Sequence, residues 1–268
     1  MISEHDFAEG RIRVRCAEAV GFLEIDNPPR KNAINAAMWQ AVPQALRYLT
    51  EEARAKVVVI GGAAGGADFS AGADISEFDT LRKNTQTARL YEADNSAAFA
   101  AVRRCHVPTI AAIRGVCFGG GFGIAAACDL RIADSTAHFS VPAVRLGIAY
   151  PADAIQDIVA ALGPQMAKTM LFTGTAMSAS KMAAAGFLLE VMAPEALERE
   201  VLALAQAIAA NAPLAMHASK TAIRAVLEGD ADLLREAEVL GNGTFDSADY
   251  AEGRAAFAER RRPRFTGE

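Results

Sequence analysis

Two glycine-rich loops hold the residues with the most chemical promise, although neither contains a strong acid–base pair or an activated nucleophile. Residues 61–78, GGAAGGADFSAGADISEF, follow the apolar run VVVI, and residues 119–130, GGGFGIAAACDL, follow TIAAIRGVCF. A turn from a buried strand into a helix exposes free backbone N–H groups at the positive end of the helix dipole. Small side chains let a ligand oxygen approach those groups. Two such turns side by side place a pair of N–H donors around one oxygen, which is an oxyanion hole. The same glycines and alanines also suit close helix–strand packing, and spacing alone leaves both uses open. Neither loop carries the GK[ST] ending of a P-loop, and Ile124 stands where a dinucleotide fingerprint needs its third glycine.

The elements that must position these loops follow from hydrophobic period. Ile12, Val14 and Cys16 alternate with Arg11, Arg13 and Arg15, as in a half-buried strand, and AVGFLEID supplies a second strand. NPPRKNAIN, residues 27–35, reads as a loop. Met38, Val42, Leu46 and Leu49 then share one helical face, with Pro43 a potential kink or break. The runs KVVVI and TIAAIRG predict strands covered on both faces. Residues 87–104 predict a long helix, and LRIAD and AHFSVP two short strands. From Asp153 onward the pattern is almost wholly helical, in segments 154–162, 164–172, 179–185, 194–211, 214–228, 232–241 and 247–262. Alternating strands and helices followed by helices alone indicate an α/β core with a helical C-terminal part. We place the boundary between residues 1–195 and 196–268.

Composition narrows the chemistry. The 268 residues are 52% hydrophobic and 22% charged, enough for a substantial core, and the formal net charge of -5 disfavours general nucleic-acid binding. Cys16, Cys105, Cys117 and Cys128 form no CxxC pair, and the four histidines are scattered, so neither a disulfide framework nor a metal centre is expected. The N-terminal MISEHDFAEGR has no signal-peptide character, and no apolar run reaches the ~20 residues of a membrane span, which leads us to expect a soluble, cytoplasmic protein.

The order NPPRKNAIN, VVVIGG, FSAGADISEF, PTIAAIRGVCFGGGFGIAAACDLRIA, AHFSVPAVRLGI, FTG and EGRAAFAERRRPRFTG resembles the crotonase, or enoyl-CoA hydratase/isomerase, superfamily over about residues 10–266. The resemblance implies an α/β crotonase fold of repeated ββα units with a helical C-terminal trimerisation region, assembled as a homotrimer or as a hexamer of paired trimers. It implies an acyl-CoA substrate, so that coenzyme A enters as part of the substrate and no cofactor is held permanently. It assigns the paired donors to Ala73, in SAGAD, and to Gly120, the middle glycine of the triplet. The CoA body is expected against Arg30, Lys31, Ala71, Asp74 and Ile75, with Arg260, Arg261, Arg262 and Arg264 offered as a basic tail for a phosphate.

Family hydratases carry two glutamates that activate and deliver water, and the matching positions here are Gly123 and Ala143. Neither residue transfers a proton. LGIAY resembles the methylmalonyl-CoA decarboxylase branch, in which a tyrosine at the position of Tyr150 faces the substrate. Decarboxylation forms an enolate without a base, so a lyase reaction fits the missing glutamates. That branch carries AGHD where this chain has AGAD, and other branches carry an aspartate where this chain has Pro151. The alternatives are an isomerase or weak hydratase using Tyr150 or Asp153, and a CoA-ester-binding protein without turnover. Asp153 also reads as the N-cap of the helix from Ala154, and His138, His106 and Cys117 read as surface or packing residues. Asp74 and Asp129 are expected to hold loops through backbone N–H groups.

Overall fold

The computed structural model describes residues 3–63 and 65–268, so Ala64 of the first glycine loop and the first two residues of the N-terminal segment lie outside the described residues. A seven-stranded sheet runs through the core in the order β1-β2-β3-β4-β5-β7-β10, with β1 Ser3–Phe7, β2 Ile12–Ala17, β3 Val20–Ile25, β4 Val57–Gly62, β5 Thr109–Ile113, β7 Leu130–Asp134 and β10 Glu190–Met192. The first three strands form an antiparallel meander, and from β3 onward every pairing is parallel. A small second sheet joins β6 Val116–Phe118, β8 His138–Ser140 and β9 Met177–Ser178.

The parallel strands are covered on both faces, as their unbroken apolar runs require. Along β4, Val58 and Ile60 enter the main core while Val57 and Val59 face the other way. Along β5, Ala111 and Ile113 take the first side and Ile110 the second. Helix α7, Leu197–Ala209, closes the second side with Leu197, Val201, Ala205 and Ala209, one residue per helical turn. The first side receives α1 Ala36–Arg47, α3 Thr85–Arg103 and α4 Gly120–Ala127. The remaining helices are the short α2 Phe78–Leu81, then α5 Ala152–Thr173, α6 Ala179–Ala184, α8 Pro213–Glu228, α9 Ala231–Gly243 and α10 Ala248–Glu259.

Three sequence expectations need correction. Helix α1 does not break at Pro43; it runs on and ends in a wider turn at Tyr48–Glu52. Segments 154–162 and 164–172 are separate helical stretches, as expected: α5 is broken at Gly163, whose φ of 70° and ψ of 160° are not helical. The stretch after Asp153 contains β9 and β10, so it is not wholly helical. Helix α5 also starts two residues before Ala154, with Pro151 at the N-cap, which leaves Asp153 inside its first turn rather than capping it. Proline fits there because its missing N–H is one the helix start would not use and its fixed φ suits entry.

Candidate active site

Pairing between the two glycine loops sets the site. Ser70 forms a parallel bridge to Cys117 of β6: its N–H donates to Val116 O at 2.9 Å, and Phe118 N–H donates to Ser70 O at 2.9 Å. Ala73 and Gly120 each lie three residues beyond that bridge, so register alone carries them together. The Ser70 side chain, fully buried, locks the turn by donating to Asn32 O at 2.7 Å and accepting from Gly72 N–H at 3.1 Å. Gly72 has φ +89°, and a Cβ there would come within 2.6 Å of Phe118 O and 2.8 Å of Gly120 N. Any side chain at residue 72 would therefore collide with the backbone of Phe118–Gly120.

Among the described residues the N–H groups of Ala73 and Gly120 are both free. Ala73 bridges Ile34, but the hydrogen bonds of that bridge run from Ile34 N–H to Gly72 O and from Asp74 N–H to Ile34 O, leaving Ala73 N–H unused. Gly120 is the first residue of α4, where the N–H has no acceptor within the helix. Among the described residues neither group finds another partner, and both residues are partly exposed. The ring of Trp39 lies behind the two N–H groups: a Cβ on Gly120 would lie 2.7 Å from it and 3.6 Å from Ala73 N. Trp39 is itself fully buried between Tyr91, whose hydroxyl accepts from Nε1 at 3.3 Å, and Phe99, in edge contact at 5.6 Å between centroids.

Gly123 marks the other wall. A Cβ there would meet Tyr150 Oη at 2.4 Å and the Phe99 ring at 2.7 Å. The Tyr150 hydroxyl donates to Gly119 O at 3.0 Å, an acceptor shared with Gly123 N–H at 3.0 Å. Tyr150 thus fills the volume that a side chain at residue 123 would need, and its single proton is engaged with the backbone. Burial, reinforced by negative neighbours that include Glu92 and Asp153, pushes its phenol far above the ordinary range. Asp153 is exposed and favourably placed for the α5 dipole, and Ala143 packs against the core.

The expected CoA-binding residues form a neighbouring cluster. Arg30 Nη1 donates to Asp74 Oδ1 at 2.7 Å and to Ser76 Oγ at 2.6 Å, Ala71 N–H donates to Lys31 O at 2.8 Å, and Ile75 is 69% exposed. Burial opposes the Asp74 charge, but hydrogen bonds from Ser76 and the Arg30 guanidinium outweigh it and hold the carboxyl below its usual value. Asp74 and Asp129 both hold loops as expected, Asp129 by accepting from Thr109 N–H at 2.7 Å. In the C-terminal tail, Arg261 is tied to Glu252 and Glu259 rather than extended toward a ligand. Cys117 is fully buried, and burial raises its thiol well above the reactive range, so it packs. The four cysteines are free and buried, and His138 is exposed.

Sequence reading missed Trp39 and the face of α3 made by Tyr91, Glu92, Asn95 and Phe99. The visible signal is a polar Asn95, 6% exposed, between aromatic residues at i−4 and i+4 on a buried stripe.

The α/β core thus brings the unpartnered N–H groups of Ala73 and Gly120 to adjoining turns, beside the loop that carries Arg30 and Lys31. A family model described as enoyl-CoA hydratase/isomerase matches residues 15–268, and the chain belongs to that family. It is 35% identical to a probable mitochondrial enoyl-CoA hydratase of Arabidopsis thaliana over 92% of this chain and 82% of the relative. It is 32% identical to a crotonyl-CoA hydratase of Syntrophomonas wolfei over 92% and 95% of the two chains. Among solved structures, an enoyl-CoA hydratase/carnithine racemase from Magnetospirillum magneticum superimposes with a TM-score of 0.90 at 35% identity, covering 96% of each chain. The fold is the α/β crotonase fold with its helical C-terminal region, and the chain is an acyl-CoA-processing enzyme.

Proposed function

We propose that the protein polarises an acyl-CoA thioester between the Ala73 and Gly120 N–H groups and carries the enolate through a lyase-type step, decarboxylation of a 2-carboxyacyl-CoA, rather than through hydration. The observation that carries this reading is the occupied volume at Gly123: Tyr150 and Phe99 fill the space where family hydratases hold an acid. Ala143 stands at the second such position. Decarboxylation breaks the bond from Cα to the carboxylate, the electron pair moves onto the thioester oxygen, CO₂ leaves, and Cα then takes a proton. The hole stabilises the charge as it forms and needs no side chain at either donor. The Arg30–Asp74 loop holds the CoA body, and residues 196–268 assemble the trimer or hexamer.

A second reading is double-bond isomerisation. It is favoured by the carboxyl of Glu92, whose negative charge is felt at Tyr150, because one acid can shuttle a proton between two carbons. The relatives named above are called hydratases, and kinship alone would favour water addition.

The test is purified protein offered crotonyl-CoA and methylmalonyl-CoA in parallel, following the enoyl chromophore and CO₂ release. CO₂ release without rapid loss of the enoyl chromophore is expected. Rapid hydration of crotonyl-CoA would overturn the reading.

A further inference from the structure

Whichever bond breaks, the enolate carbon must gain a proton, and residues 123 and 143 cannot supply one. Helix α3 brings a different acid to this corner. Its buried stripe of Tyr91, Asn95 and Phe99 packs on Trp39 behind Gly120, and Phe99 reaches Gly123 beside the Tyr150 hydroxyl. Glu92 lies three residues before Asn95 and seven before Phe99, on the flank of that stripe, and its charge acts on the Tyr150 hydroxyl.

The hydrogen bonding of Glu92 is incomplete in a telling way. Oε1 accepts from Arg82, whose guanidinium also lies over the Phe78 and Tyr91 rings. Oε2 is buried and has no partner among the described residues, and neither has Asn95 Oδ1 on a side chain that is almost fully buried. Two orphaned acceptors on adjacent turns call for a shared proton or a donor from a ligand. An ion pair serving only to anchor Arg82 gives no reason for the second oxygen to be withdrawn from water.

Resting on the acyl-CoA reading, we propose that Glu92 is the acid–base residue of this site, exchanging a proton with the substrate α-carbon while Ala73 and Gly120 hold the thioester oxygen. In the forward sense the protonated carboxyl gives its proton to Cα, the enolate electron pair forms the new C–H bond, and the carboxylate is left paired with Arg82. In the reverse sense the carboxylate takes an α-proton and the C–H pair moves onto the thioester oxygen. The charged groups that act on it are Arg82, its ion-pair partner from the α2–α3 connection, and Asp153, from α5, and its own charge acts on Tyr150. Burial raises the Glu92 carboxyl, Arg82 lowers it and Asp153 raises it, with a net rise that suits a group required to hold a proton.

Exchange of the α-protons of butyryl-CoA in D₂O, read by mass spectrometry beside a calorimetric binding measurement, tests the assignment. The wild type is expected to bind and exchange, and Glu92→Gln, which keeps the side-chain length and an acceptor for Arg82, to bind equally and exchange at least a hundredfold more slowly. Exchange rises with pH as Glu92 ionises. Removing the neighbouring cation in Arg82→Gln is therefore expected to move that rise to higher pH, a shift that a purely structural role would not produce. Undiminished exchange in Glu92→Gln, an unmoved pH profile in Arg82→Gln, or a wild type that binds without exchanging would each overturn the role of Glu92 while leaving the acyl-CoA reading intact. A wild type that does not bind butyryl-CoA would overturn both.

Discussion

Ala73→Pro is expected to lower kcat/KM about a hundred- to a thousandfold, the ~2.7–4 kcal/mol attached to one oxyanion-hole donor. Proline removes the N–H and sets its Cδ in the space that hydrogen pointed into, while leaving the neighbouring backbone pairing in place. The bridge to Ile34 is held by Gly72 O and Asp74 N–H, both of which proline at residue 73 leaves in place. The preceding residue is glycine, which tolerates the restriction that a proline ring imposes on its neighbour. The Ser70–Cys117 pairing that sets the register lies outside the changed peptide unit. A circular-dichroism melt close to that of the wild type, with turnover lost, is the expected pair of results. Turnover that survives the substitution would remove Ala73 N–H from the mechanism.

The second large effect concerns Gly123. Gly123→Glu places the acid of the family hydratases on this backbone, and the site has no room for it. Its Cβ would fall 2.4 Å from Tyr150 Oη and 2.7 Å from Phe99. Overpacking of this kind costs ~1–3 kcal/mol. A carboxylate buried near Glu92 and Asp153 adds to the penalty through desolvation and like charge. We expect a total of about 3 kcal/mol, seen as a melting temperature lower by roughly 6–12 °C, and no hydratase activity. Tyr150→Ala removes the obstructing ring, so Gly123→Glu/Tyr150→Ala is expected to be more stable than the sum of the single changes by about 1–3 kcal/mol, a coupling measurable in a double-mutant cycle. Strict additivity would show that Tyr150 does not fill the acid's place.

Much of this arrangement was legible in the sequence. The glycine loops were readable because they follow apolar strands, the family resemblance supplied Ala73 and Gly120 as the proposed donors, and the two-sided burial of β4 and β5 followed from their unbroken runs. The α3 acid was not, because Arg82 and Glu92 belong to different elements, and a glutamate on a helix has the same local pattern whether it faces solvent or a cleft. Strand β6 escaped notice because three residues carry no period, although its pairing with Ser70 aligns the site. The start of α5 was misplaced because an aspartate before an apolar run looks like a cap, whereas the chain turns at Pro151. Tyr150 was singled out, but its proximity to Gly123 depends on the path from β8 to α5, which no spacing rule encodes.

The most direct test of the central claim is infrared spectroscopy of an acyl-CoA labelled with ¹³C at the thioester carbonyl and bound to the protein. Two N–H groups donating to one oxygen polarise the C=O bond. The bound carbonyl band is expected below that of the free thioester, and back toward the free position in Ala73→Pro. A bound thioester whose carbonyl band does not move from its position in solution would contradict the assignment of Ala73 and Gly120 as the oxyanion hole.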